Sequence, residues 1–140
     1  MYKAFSMLNE FCISNDIDYA VTGTSALEIQ GMCPDDYKVH DIDVHVLNIS
    51  QEASAKLREM QKLAGLTSKY EGPSITIKVN DVTVNLMPPT KNDTYIEIVA
   101  KDGATYKVQT AICALKDKMA LQRSKDKDFL LNLIAKLTSL

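Results

Sequence analysis

Residues 19–46 read YAVTGTSALEIQGMCPDDYKVHDIDVHV, an apolar strand-like segment, a small-residue turn and a second strand-like segment with two acidic residues. Side chains alternate between the two faces of a strand, so Asp41 and Asp43 are expected on one side while Ile42 and Val44 enter the core. Mg²⁺ prefers oxygen ligands and keeps several waters, so one or two carboxylates and substrate phosphates complete its coordination. The acidic pair therefore predicts a site for Mg²⁺ or Mn²⁺.

The turn before the acidic pair predicts an anion site. Gly23 lets the backbone approach a ligand closely, and residues 24–31 (TSALEIQG) read as a short helix whose first N–H groups have no partner within the helix. Thr24 opens this helix, and Ser25 offers a hydroxyl donor. Each motif alone is more often a solvated strand face or a plain helix cap, but their joint order favours a triphosphate and its metal.

This order of strand, turn, helix and acidic strand resembles the DNA polymerase β-like nucleotidyltransferase superfamily. More narrowly, the chain resembles the small prokaryotic branch with minimal nucleotidyltransferases, toxin–antitoxin nucleotidyltransferases and lincosamide-type antibiotic-modifying enzymes. Residues 114–133 resemble the C-terminal helix pair of these proteins, with Lys118 in the first helix and Lys125 and Asp126 opening the second.

The resemblance implies a nucleoside triphosphate as substrate and a metal-assisted transfer. The implied metal ligands are Asp41 and Asp43, and the implied phosphate contacts are Gly23, Thr24, Ser25 and Lys118. For Lys118, an ordinary solvated helix lysine is the alternative interpretation.

One carboxylate of the family pattern is missing. Residues 75–79 and 82–87 alternate around Asn80 and Asp81, which predicts a two-residue hairpin. Pairing across that turn puts Asn85 on the less apolar face, where relatives carry a third catalytic carboxylate, and we expect it to converge with Asp41 and Asp43 on one open cleft. An amide can coordinate a metal through its oxygen, but it carries no charge and cannot act as a general base.

Two other side chains bear on the predicted site. Glu97 lies between two isoleucines on a strand and is the reserve candidate for the missing carboxylate. His45 shares the strand face of the acidic pair and is interpreted as a hydrogen-bonded neighbour.

Length and composition predict one domain over residues 1–140, with a core at about 17–109 and C-terminal helices at about 110–138. The chain has 140 residues, 46% hydrophobic residues and a net charge of -2, so it can bury a core but has no general basic footprint for nucleic acid. The sequence has neither a membrane-length apolar run nor a signal peptide, which predicts a cytoplasmic protein with no membrane partner.

The predicted fold class is α/β (α+β), a nucleotidyltransferase fold with a mixed sheet flanked by helices and a C-terminal helix pair. Ser50 is the expected N-cap of the helix that ends near residue 63, and Thr110 and Ser124 are expected to cap the two C-terminal helices. Beyond the first two strands, strands are expected at about 66–70, 74–79, 82–87, 95–99 and 105–109.

The leading functional hypothesis is a protein that binds Mg²⁺-nucleoside triphosphate and transfers a nucleotidyl group to a small molecule, a protein side chain or an RNA end. The alternative is a non-catalytic relative that acts as a binding module or as one half of a toxin–antitoxin-like pair, which Asn85 favours. A structural α/β protein without a nucleotide site is the third hypothesis. Because one small domain closes only one wall of a cleft, the opposite wall is expected to come from the C-terminal helices or from a second chain, in a homodimer or a complex with a protein partner.

Overall fold

The computed structural model describes residues 1–34, 38–121, 130–131 and 134–135. Helices and strands alternate at the start of the chain, and strands dominate its second half. The elements are α1 (Tyr2–Ser14), β1 (Asp18–Thr22), α2 (Gly23–Ile29), β2 (Asp41–Asn48), α3 (Gln51–Leu63), β3 (Ile75–Val79), β4 (Val82–Met87), β5 (Tyr95–Val99), β6 (Thr105–Gln109) and α4 (Ala111–Leu121).

The strands form one mixed sheet in the order β3-β4-β2-β1-β6-β5. β2 pairs with β4 and β1 with β6 in parallel, whereas the other neighbours are antiparallel. This mixed sheet with flanking helices confirms the predicted fold class. It also makes β4 the direct neighbour of β2, with Asn85 opposite Asp43.

The β3–β4 hairpin has the predicted register. Asn80 and Asp81 both have positive φ, 50° and 63°, as a two-residue turn that matches the twist of its strands requires. The pairs on one face are all apolar: Ile75 with Leu86, Ile77 with Val84 and Val79 with Val82. The other face carries polar pairs, among them Thr76 with Asn85.

The apolar face of the sheet holds the main core, and α1 and α3 cover it. Phe5 and Leu8 of α1 and Leu57 of α3 are buried in one cluster with residues of β1, β2, β3, β4 and β6. A second, smaller cluster joins α2 to α4 through Leu27 and Ala114. Since α1 and α3 occupy the apolar side, the polar side of β2 and β4 is left for a site.

Two predicted helix caps are present. Ser50 accepts a hydrogen bond from the Ala53 N–H at 3.1 Å, and Thr110 Oγ1 accepts one from the Cys113 N–H at 3.4 Å at the start of α4. The predicted cap Ser124 and the basic-acidic pair Lys125 and Asp126 lie outside the described residues. No helix within the described ranges is long and apolar enough to cross a membrane.

The strand predicted at 66–70 was wrong. Residues 64–74, the α3–β3 loop, are irregular, and side chains supply the partners that a strand would have supplied. Gln61 Oε1 accepts the Thr76 N–H at 2.9 Å, and Thr76 Oγ1 accepts the Lys69 N–H at 3.0 Å. Such local side-chain hydrogen bonds compete with the backbone hydrogen bonds of a β-sheet, and here they cover the edge of β3.

Candidate functional site

The acidic pair lies on β2, and hydroxyl groups tie its main chain to the start of α2. Ser25 Oγ donates to the Asp41 carbonyl oxygen at 3.1 Å, and Thr22 Oγ1 donates to the Asp43 carbonyl oxygen at 3.0 Å. Both hydroxyl-bearing residues are buried. The bonds therefore fix the two carboxylates beside the N-terminus of α2, and the Ser25 hydroxyl, expected to face phosphate, is engaged with the protein.

Gln109, at the end of β6, holds the turn that opens α2. Gly23 has φ +59° and donates its N–H to Gln109 Oε1 at 2.9 Å. The Gln109 amide group donates in turn to Asp93 at 3.2 Å and to Asp117 at 2.9 Å, and the side chain is fully buried. The Gly23 N–H is thus satisfied internally, while the next N–H groups of the first helical turn have no acceptor within the helix. Sequence reasoning missed Gln109, which no motif marks.

Asn85 lies beside Asp43, as the hairpin register predicts, but its side chain is enclosed. Its amide group donates to Asp43 Oδ1 at 2.8 Å, and its oxygen accepts from Thr76 Oγ1 at 2.9 Å. Asn85 is fully buried, so the expectation that it lines an open cleft was wrong. The physical reason is complementarity: an amide donates to a neighbouring carboxylate, whereas a third carboxylate would repel it without a metal between them.

The α3–β3 loop places two donors on the acidic pair. Lys69 Nζ lies 2.7 Å from Asp41 Oδ2, and the Tyr70 hydroxyl donates to Asp43 Oδ2 at 3.3 Å. The hydrogen bond to Asp41 raises the pKa of Lys69, although partial burial opposes this shift. Burial and the nearby Asp43 carboxylate raise the pKa of Tyr70. Neither residue was a sequence candidate, because the loop was interpreted as a strand.

These contacts decide how a metal fits. Two carboxylates on one strand face suit a hard cation that arrives with phosphate oxygens, because such an ion needs only one or two protein ligands. Among the residues that the structure describes, no group of three or more His, Cys, Asp or Glu is arranged to hold a metal. The pair therefore fits a metal carried by a nucleotide once the lysine and the tyrosine have withdrawn, and does not form a closed metal site of its own.

His45 continues the same face of β2 and is a hydrogen-bonded side chain, as expected. Its Nδ1 lies 2.9 Å from the Tyr95 hydroxyl and 3.3 Å from Asp93 Oδ2. Burial lowers the pKa of His45, against the opposing effect of Asp93. Beyond it the face opens into a groove of about 450 Å³, lined by Leu47, Asp93, Thr94, Tyr95, Ile96, Glu97 and Lys107.

The two remaining predicted residues are Glu97, which lies far from the acidic pair, and Lys118, which is buried. Glu97 is on β5, three strands from β2 in the sheet, which is roughly 14 Å at the usual strand spacing. It is therefore too distant to replace the third carboxylate. Lys118 is buried on α4, the helix that packs against α2.

Comparison with known proteins gives a fold match alone. No family model matches the chain, and no curated protein matches it. The solution structure of the antibiotic-resistance factor ANT(2'')-Ia is similar over 96% of this chain and 82% of its own, with a TM-score of 0.66 and 11% identity. A crystal structure of a candidate nucleotidyltransferase from Thermotoga maritima aligns over 94% of this chain and 92% of its own, with a TM-score of 0.48 and 13% identity. The first similarity establishes a nucleotidyltransferase-type fold, and the chemistry has to be argued from the residues.

Proposed function

We propose that this protein binds a Mg²⁺-nucleoside triphosphate between β2 and the start of α2 and transfers the nucleotidyl group to a hydroxyl acceptor. The observation that carries the proposal is the fixed position of the acidic pair beside α2. The hydroxyl of Ser25 spans this junction and bonds the Asp41 main chain. The carboxylate pair lies there beside the Gly23-Thr24-Ser25 turn, and Lys69 and Tyr70 are the donors that a metal would displace from it.

In the proposed complex, Asp41 and Asp43 hold the metal that the nucleotide brings, and the Gly23-Thr24-Ser25 turn faces the β- and γ-phosphates. The metal, when bound, offsets the negative charge that develops on the phosphate oxygens. The acceptor oxygen attacks the α-phosphorus in line and loses its proton to solvent water, the bond from the α-phosphorus to the bridging oxygen breaks, and pyrophosphate leaves. The groove beside Tyr95 is the proposed approach for the acceptor, since it lies on the same side of the sheet.

Catalysis is expected to be slow, because Asn85 supplies no base for the acceptor proton. Loss of a general base typically removes a factor of roughly 10²–10⁴ in rate. Asn85 instead orients Asp43 through its amide group.

Nucleotide binding tests the proposal directly. Thermal unfolding is measured with ATP, GTP, CTP or UTP and with Mg²⁺ or Mn²⁺; a ligand at about a hundred times its Kd adds about 2.7 kcal/mol to the free energy of unfolding. Asp41→Asn removes the metal-dependent part, whereas the matched control Asp81→Asn, at an exposed turn on the hairpin, keeps it. No stabilisation by any of the four nucleotides with either metal contradicts the proposal.

The second candidate function is a binding module with the nucleotidyltransferase fold that does not turn over its nucleotide, such as one half of a toxin–antitoxin-like pair. The enclosed Asn85 and the protein donors on both carboxylates favour it. Release of pyrophosphate separates the two candidates, because a binding module binds the triphosphate and releases none. A homodimer or a protein partner would supply the wall of the cleft opposite β2.

A further inference from the structure

The contact between Lys69 and Asp41 is the shortest polar contact that the described acidic pair makes. Lys69 Nζ lies 2.7 Å from Asp41 Oδ2, and it also lies 5.5 Å from the centre of the Tyr70 ring. The ammonium group therefore occupies one of the two oxygens of Asp41. It competes with a divalent metal for this carboxylate through that contact and through the repulsion between two adjacent positive charges.

We propose that Lys69 is a resident cation of this site: its ammonium group holds Asp41 in the free protein, a divalent metal displaces it, and the displaced ammonium group then pairs with the phosphates. The inference rests on the proposed function and adds a residue to it. It makes Lys69 both a competitor of the free metal and a phosphate contact for the metal–nucleotide complex.

The anchoring of Lys69 allows this exchange of partners. Its backbone N–H is bonded to Thr76 Oγ1 at 3.0 Å, and Thr76 Oγ1 donates to Asn85, which in turn donates to Asp43. The main chain of Lys69 is therefore tied to the site. Its side chain is 50% exposed and is a flexible four-carbon stem, so the ammonium group can leave Asp41 and remain within reach.

The local charge explains why a lysine is stable there. With Asn85 in place of a third carboxylate, Asp41 and Asp43 provide two negative charges, and Lys69 offsets one of them. A free divalent ion would have to displace this neutralising charge and then bind beside it. A metal that arrives with a triphosphate brings the negative charge that receives the lysine, so the complex is favoured over the free metal.

Mn²⁺ alone tests the displacement. Mn²⁺ is titrated into the protein, and binding is followed as the loss of the free Mn²⁺ signal in electron paramagnetic resonance. The parent protein is compared with Lys69→Met and with the matched control Lys101→Met, which changes an exposed lysine in the turn between β5 and β6. Lys69→Met is expected to bind Mn²⁺ about tenfold more tightly, the effect of removing one adjacent positive charge at a partly exposed site. Adding Asp41→Asn to Lys69→Met should abolish the gain.

Calorimetry with ATP and Mn²⁺ tests whether the displaced ammonium group pairs with the phosphates. Lys69→Met is expected to bind the metal–nucleotide complex several-fold more weakly than the parent, while it binds the free metal more tightly. Unchanged or weaker Mn²⁺ binding in Lys69→Met overturns the displacement, and tighter binding of both ligands overturns the transfer to phosphate. If no nucleotide binds either protein while Mn²⁺ binding tightens through Asp41, the proposed function fails and the metal competition stands.

Discussion

Replacing Asn85 by aspartate adds the third carboxylate that the resemblance to nucleotidyltransferases implies, and the structure sets the cost of this change in stability. The Asn85 amide group donates to Asp43 Oδ1 at 2.8 Å within a fully buried position. In Asn85→Asp, a carboxylate oxygen takes the place of that donor. A hydrogen bond to a charged group is lost, which costs about 1.5–3 kcal/mol, and two carboxylates face each other with little water between them.

We therefore expect metal-free Asn85→Asp to be about 3 kcal/mol less stable than the parent, which lowers Tm by roughly 10 °C for a domain of this size. A divalent cation between the two carboxylates removes the repulsion. Saturating Mn²⁺ should consequently restore most of the loss in the variant and raise its Tm more than that of the parent.

The assay is thermal unfolding in EDTA and in Mn²⁺, with Asn80→Asp as the matched control. Asn80 undergoes the same chemical change at an exposed turn position, so the Tm of Asn80→Asp should respond to EDTA and to Mn²⁺ as the Tm of the parent does. Release of pyrophosphate from the nucleotides is measured in parallel, and a restored base should raise turnover by about 10²-fold or more.

Either of two results would refute this reasoning. If Asn85→Asp is as stable as the parent without metal, the Asn85–Asp43 contact does not carry the energy assigned to it. If Mn²⁺ leaves the Tm of the variant low, position 85 does not share a metal site with Asp43.

Two further changes probe the surroundings of the site. Gln109→Leu leaves the Gly23 N–H without its acceptor. We expect the free energy of unfolding, measured in urea, to fall by about 1–3 kcal/mol and metal-dependent nucleotide binding to weaken. An unchanged urea midpoint contradicts the role given to Gln109. Burial lowers the pKa of His45 in the folded state, so the unfolded chain binds the proton more readily and stability falls as pH drops through about 6.5, the unfolded value. His45→Gln should flatten this loss between about pH 7 and 5, as followed by urea unfolding, whereas His40→Gln at an exposed position should not.

Local patterns predicted the parts of the fold that depend on near neighbours. Strict alternation around Asn80 and Asp81 gave the hairpin and its register, because side-chain parity and turn chemistry are set within a few residues. The same parity put Asp41 and Asp43 on one face of β2. The order of a mixed sheet is not local, so the distance of Glu97 from β2 was not predictable.

The missed residues share another cause. Residues 66–70 were expected to form a strand, but the Gln61 side chain accepts the Thr76 N–H at the edge of β3, and the Thr76 side chain accepts the Lys69 N–H of the loop. Only the folded chain reveals these contacts. Lys69 therefore meets Asp41 by way of a loop that no periodicity marks. Gln109 ends an ordinary strand and gains its role only from the parallel pairing of β6 with β1.

The bond between Gly23 and Gln109 also constrains the order of assembly. It joins residues 86 positions apart, and the turn that would hold the phosphates is completed only when β6 docks beside β1. Contacts of such separation form slowly, because most of the intervening chain must be organised before they close. A ribosome extends the chain from its N-terminus, so the acidic pair and the turn emerge long before the strand that fixes them. The nascent protein should therefore acquire the proposed nucleotide affinity late in synthesis, in one step with the closure of the sheet.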